Sequence, residues 1–157
     1  MQEKSILLLS IRSQYAERIF NGAKTVELRR VRPRVREGDW VLVYVPSPVK
    51  AIMGGFRVRS VVEAAPCDLW YRVKHFACVS RQKFDTYYAG ASIGFGIFLY
   101  NPRLLKYPIS LGYLRQFWPG FRAPQGYRYV PINAISFLGI TDQLLTVTGM
   151  EQLEMVL

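Results

Sequence analysis

Cysteine and histidine are nearly missing from this chain of 157 residues. The two cysteines, Cys67 and Cys78, stand in no CxxC-type spacing, and the single histidine is His75. That scarcity argues against a disulfide framework and against a zinc site. No metal or other cofactor is expected. His75 has no acid at a suggestive spacing, and we read it as a surface residue. Long apolar runs are missing too. The run "ILLLSI", Ile6 to Ile11, falls far short of the roughly 20 residues that span a bilayer. The start "MQEKS" lacks the basic opening and apolar stretch of a signal peptide. We therefore expect a cytoplasmic protein with no membrane partner.

Acidic residues are scarce against basic ones, 11 against 21, for a net charge of +10. Residues 1–60 hold 12 Lys/Arg and 5 Asp/Glu, residues 61–128 hold 9 and 3, and residues 129–157 hold none and 3. A basic body suits a polyanionic partner, most often nucleic acid. The last 29 residues share none of that charge. We read residues 131–157 as an extension that packs on a domain of residues 1–130 or mediates self-association. Half the residues are hydrophobic, enough for a core.

The pattern along the chain is β-α-β-loop-β-β-(αα)-β-α-β. "SILLLSI" barely alternates and reads as a strand buried on both faces. "SQYAERIFNG" reads as a helix with Ser13 as N-cap and Gly22 as a left-handed stop. "TVELRR" is a strand with Val26 and Leu28 on one face and Thr25, Glu27 and Arg29 on the other. "WVLVYV" follows a Gly38-Asp39 turn, and Pro46 and Pro48 end it. "VKAIMGGFRVRSVVEAA" is a long strand with a bulge at Gly54-Gly55. Asp68 and Ser80 are candidate starts for two short helices. Most strands are joined without helical crossovers, which points to an α+β fold around a curled sheet or barrel.

The stretch "NGAKTVELRR", Asn21 to Arg30, crowds charges of both signs beside an apolar pattern. Glu27 and Arg29 lie roughly 6–7 Å apart on one strand face, with Lys24 at the junction before it. Two explanations compete. One is a solvent-facing ion pair that contributes little. The other is a cleft floor, where Glu27 accepts hydrogen bonds from a base or activates water while Lys24 stabilises an oxyanion.

Gly22-x-Lys24-x-x-Glu27-x-Arg29 resembles the GxKxxExR signature of the ASCH domain family, a branch of the PUA-like superfold. "LLSIR", "GDWVLVY" and "PVKAIMGGFRV" resemble the family's surroundings, over roughly residues 5–107. The resemblance implies a small mixed β-barrel flanked by short helices, with Lys24, Glu27 and Arg29 lining a cleft beside the first helix. It also implies an RNA-binding or nucleic-acid-associated module. Some relatives remove an acetyl group from acetylated cytidine, and ribonuclease activity has been ascribed to another. In the deacetylating relatives a Thr nucleophile stands three residues after the Lys. Here that position is Glu27, which has no hydroxyl to accept an acyl group.

We therefore expect a nucleic-acid-binding protein, for RNA before DNA, whose cleft takes a base or modified nucleoside. The alternatives are a small hydrolase of RNA or a modified nucleoside, with Lys24 and Glu27 catalytic, and a non-catalytic ligand sensor. Arg29, Arg30, Arg32, Arg34 and Arg36 would clamp phosphates two oxygens at a time. Lys50, Arg57 and Arg59 would extend that patch. Ser10 and Arg12 end the first strand beside the cleft. Gln125 with Tyr127 and Tyr129 forms a base-reading candidate. Trp70, Tyr71, Tyr87 and Tyr88 could stack bases, but their helical spacing favours the core.

Overall fold

The computed structural model describes residues 4–144. The elements run β1 (Ser5–Ser10), α1 (Ser13–Phe20), β2 (Val26–Arg29), β3 (Trp40–Val45), β4 (Ala51–Ala64), α2 (Pro66–Val73), α3 (Arg81–Tyr87), β5 (Gly94–Ser110), α4 (Leu111–Phe117), β6 (Tyr127–Pro131) and α5 (Ile132–Phe137). Six strands form one mixed sheet in the order β2-β5-β4-β3-β1-β6. β1 and β3 run parallel, and the other neighbours are antiparallel. The fold is α+β. No ladder joins β2 to β6 among the described residues, so the sheet is open where a barrel was expected.

β1 is buried on both faces, as its unbroken apolar run requires. Leu7 and Leu9 enter one cluster with Val41, Phe56 and Val58. Leu8 enters another with Leu42, Ile52 and Val130. Each such side chain contributes about 1.5–3 kcal/mol relative to exposure. Ile135, Ile140 and Leu144 belong to the second cluster, so residues 131–144 share the body's core. The rest of the proposed extension lies outside the described residues. A third cluster joins Val26 and Leu28 of β2 to Leu69 and Val73 of α2 and to Phe84 and Tyr88. It seats the two short helices on the free side of β2.

β4 and β5 are long, and their pairing slips at several places. One slip lies between Ile52 and Gly54 and another between Gly55 and Arg57, at the bulge expected there. Gly54 tolerates no side chain, because a Cβ would lie 2.2 Å from the Arg103 carbonyl oxygen. Gly22 holds φ +87° and ends α1 as a left-handed stop. Two helix starts differ from expectation. Arg12, not Ser13, occupies the N-cap of α1, and no side chain caps it. α2 begins at Pro66 with Asp68 inside its first turn, because proline suits the first helical position. Ser80 does cap α3, its hydroxyl accepting from the Lys83 backbone N–H. No helix among the described residues is long and apolar enough to cross a membrane.

Candidate functional site

The segment between α1 and β2 is pinned at both ends. The Lys24 N–H donates to the Arg18 carbonyl at 2.8 Å, and the Thr25 N–H to the Phe76 carbonyl at 3.0 Å. The Arg18 guanidinium reaches the Cys78 carbonyl, and the Cys78 thiol the Ala23 carbonyl. This clasp with residues 76–78 turns the Lys24 side chain inward. Its residue exposure is 2%. Lys24 Nζ donates to the Ala77 carbonyl at 2.5 Å, lies 3.8 Å from Glu27 Oε2, and sits 5.3 Å from the centre of the Tyr15 ring.

Alternation along β2 then decides the floor. Val26 and Leu28 face α2 and α3. Glu27 and Arg29 face the other way, into a cavity of about 700 Å³. Arg29 Nη2 donates to Glu27 Oε1 at 3.0 Å and to the Ser10 carbonyl at 3.3 Å, while Nη1 donates to the Gly126 carbonyl at 3.3 Å. Gly126 directly precedes β6, and its carbonyl also accepts the Ser10 N–H. The Arg29 side chain therefore spans the open edge between β2 and the β1–β6 pair. It has a folding role as well as a place in the cleft. Its Nε is buried with no hydrogen-bond partner among the described residues.

α1 supplies one wall through Gln14 and Tyr15, and α3 supplies the other through Gln82, Thr86 and Tyr87. Tyr87 is 40% exposed, and its hydroxyl donates to the Leu28 carbonyl. Tyr88 is buried and ties α3 to β2 by donating to the Arg29 carbonyl. The helical spacing had favoured the core for both tyrosines. That holds for Tyr88 and not for Tyr87, which sits at the C-terminal end of α3 above the cleft. Trp70 is half-buried against Phe84, while Tyr71 and His75 are exposed.

The predicted site residues fall in three places. Ser10, Arg12, Lys24, Glu27 and Arg29 line the main cleft. Ser10 and Arg12 also border a recess of about 390 Å³ with Tyr44, Lys50 and Gln125. Arg29 and Tyr87 also border a recess of about 140 Å³ with Arg30, Arg32, Tyr127 and Tyr129. Arg34, Arg36 and Arg57 line none of these three. The arginine run is largely engaged within the chain. Arg30 donates to the Tyr87 and Ala89 carbonyls, Arg32 pairs with Glu63, and Arg34 stacks on Tyr129. The Arg36 backbone joins the Asp39 turn. Arg57 lies near the Trp40 and Tyr100 rings, with Arg59 over Tyr100 as well. Among the described residues, no group of three or more His, Cys, Asp and Glu could hold a metal ion.

Tyr44 is a residue that sequence reasoning missed. It pairs with Ser10 across the β1–β3 ladder and is 2% exposed, yet its hydroxyl has no hydrogen-bond partner among the described residues. Burial pushes its pKa above the ordinary tyrosine value, while Arg115 pulls it down. The Tyr87 pKa is raised for the same reason, with Arg29 opposing. Lys24 is lowered from its usual 10.5, chiefly because burial disfavours the ammonium; Glu27 opposes that shift. The unfolded chain therefore binds the Lys24 proton more tightly than the folded one. Stability should rise with pH from the lowered value up to about 10.5. We expect denaturant unfolding to show this rise in the natural chain relative to Lys24→Met. Parallel curves for the two would refute it.

Comparisons with known proteins bear on the family and the fold. The family model for the ASCH domain matches residues 9–108. An ASCH domain-containing ribonuclease from Zymomonas mobilis is 27% identical over 123 residues, which is 78% of this chain and 82% of the relative. A crystal structure of ASCH from Zymomonas mobilis superposes with a TM-score of 0.78 at 26% identity, covering 84% of this chain and 92% of that one. The N-terminal domain of Staphylothermus marinus McrB shares the fold at a TM-score of 0.52 and 14% identity, with 88% and 93% covered. With most of its sheet and the whole Lys24–Arg29 segment inside the matched region, the chain belongs to the ASCH domain family.

Proposed function

We propose that this chain binds RNA and that the Lys24–Glu27–Arg29 cleft receives a base or modified nucleoside. The observation that carries this reading is a cleft of nucleotide size whose one floor carboxylate is already paired from within. Its volume of about 700 Å³ falls in the range of ordinary ligand pockets. Glu27 is held by both Lys24 and Arg29, so its carboxylate is fixed in place while keeping lone pairs to accept a base N–H. Tyr15 and Tyr87 give the walls aromatic surface, and Arg12 and Lys83 leave the rim basic. The relative named as a ribonuclease favours RNA over DNA. Arg29 reaching across the sheet's open edge also favours a PUA-like barrel left incompletely closed.

A single-stranded RNA should bind with an affinity that falls linearly in log salt, because bound counterions are released. Fluorescence anisotropy across a salt series measures this, and affinity that ignores salt would remove the electrostatic basis. Glu27→Gln should weaken selection among bases more than overall affinity.

A specific observation favours a second reading, that the protein also cuts RNA. The Tyr44 hydroxyl is unpartnered, stays protonated at neutral pH, and opens on the recess that holds Lys50 and Arg12. A proton donor in a recess that two cations also border suits a phosphodiester better than a free base.

A further inference from the structure

The recess between the sheet's edges sets tyrosines and arginines around an apolar back wall. It lies where β2 fails to pair with β6, and its back wall is Leu7 and Leu9 of β1. Tyr127 stands at its mouth, 44% exposed, with the Tyr129 ring edge-on at 6.0 Å. Arg34 caps Tyr129 from 4.2 Å, and the Tyr129 hydroxyl accepts the Arg34 backbone N–H at 2.7 Å, so that ring is fixed. Arg30 and Arg32 border the opening and remain exposed despite their protein contacts. At about 140 Å³ the recess is too small for a drug-sized ligand, which needs roughly 300 Å³ or more. It suits a flat ring entering edge first, with its charged backbone left outside.

Two residues join this recess to the cleft. Arg29 and Tyr87 line both, so whatever fills one is in contact with the wall of the other. Ser10 and Arg12 join the cleft to the Lys50 recess in the same manner. The cleft thus shares lining residues with both recesses, and cations border all three. From this we infer that the site takes a single-stranded segment of at least two successive nucleotides, with the second base seated against Tyr127 and Tyr129 in the gap between β2 and β6. The inference rests on the RNA-binding reading of the cleft and specifies its ligand as an oligonucleotide instead of a free nucleoside. Stacking on tyrosine explains an apolar recess ringed by arginine, since every base has a π-face and every linkage a phosphate.

The test is a length series of 2′-O-methyl ribonucleotides, which resist cleavage, from mononucleotide to tetranucleotide. Calorimetry on the full chain should show affinity climbing from the mononucleotide to the dinucleotide or trinucleotide. In Tyr127→Ala that gain should shrink about tenfold, and Tyr127→Phe should keep it. Tyr127 is exposed, so the variant should fold, and its melting curve checks this. Equal affinity for mononucleotide and trimer would overturn the second subsite and leave the cleft reading standing. So would a gain that Tyr127→Ala leaves intact. No binding of any member of the series would overturn both.

Discussion

Arg29→Ala is expected to destabilise the fold by about 3 kcal/mol, the scale for removing one partner of a buried ion pair. Three acceptors depend on this side chain: Glu27 Oε1, the Ser10 carbonyl and the Gly126 carbonyl. Glu27 would keep Lys24 at 3.8 Å, which limits the loss. The buried Nε without a partner offsets more of it, because deleting that group also removes an unsatisfied donor. Against these stands a contribution that no exposed ion pair has. The guanidinium links β2 to the β1–β6 edge where no ladder does. For a chain of this size the melting temperature should fall by about 6–12 °C. Arg29→Lys should recover only part, since one ammonium cannot reach all three acceptors. A melting temperature within about 2 °C of the natural chain would show that the bridge contributes little.

That prediction marks how far the sequence could be read. The alternation of Val26 and Leu28 with Glu27 and Arg29 was visible because a strand's period is two, and the apolar face proved to be the one packed in a core cluster. The spacing from Lys24 to Arg29 located the cleft floor. It could not show that Arg29 also holds the fold, because its carbonyl partner on Gly126 lies 97 residues away. The far wall was hidden for the same reason. α3 reaches the cleft only through the third core cluster, where Phe84 and Tyr88 pack on β2. Nothing local to Tyr87 distinguishes it from Tyr88. The arginine run misled in the opposite direction. Five basic residues in eight positions suggest a phosphate clamp, but carbonyls, Glu27, Glu63 and Tyr129 occupy four of them. Arginine density states charge, and only the fold states which guanidinium groups face a ligand.

Tyr44→Phe should separate binding from cutting. If the protein cleaves RNA, the 2′-hydroxyl gives its proton to water as its oxygen bonds to phosphorus, the bond from phosphorus to the 5′-oxygen breaks to leave a 2′,3′-cyclic phosphate, and the leaving 5′-oxygen needs a proton. The Tyr44 hydroxyl can give that proton and regain one from water. Burial holds its pKa above the ordinary value, so it remains a donor through neutral pH. Lys50 and Arg12 border the same recess and oppose the charge that builds on the phosphoryl oxygens. Losing one general acid lowers a rate by roughly 10²–10⁴-fold, whereas an unpartnered hydroxyl contributes little to folding. Tyr44→Phe should therefore keep its melting temperature and its affinity for a non-cleavable oligonucleotide while turnover falls by about 100-fold or more. Lys50→Met should lower both turnover and affinity, because its charge acts on the bound phosphate as well as on the transition state. Turnover that survives in Tyr44→Phe would remove this tyrosine from the reaction and leave Lys24 and Glu27 as the groups to test. Absence of turnover in the natural chain, with binding intact, would make the protein a reader of RNA and not a nuclease.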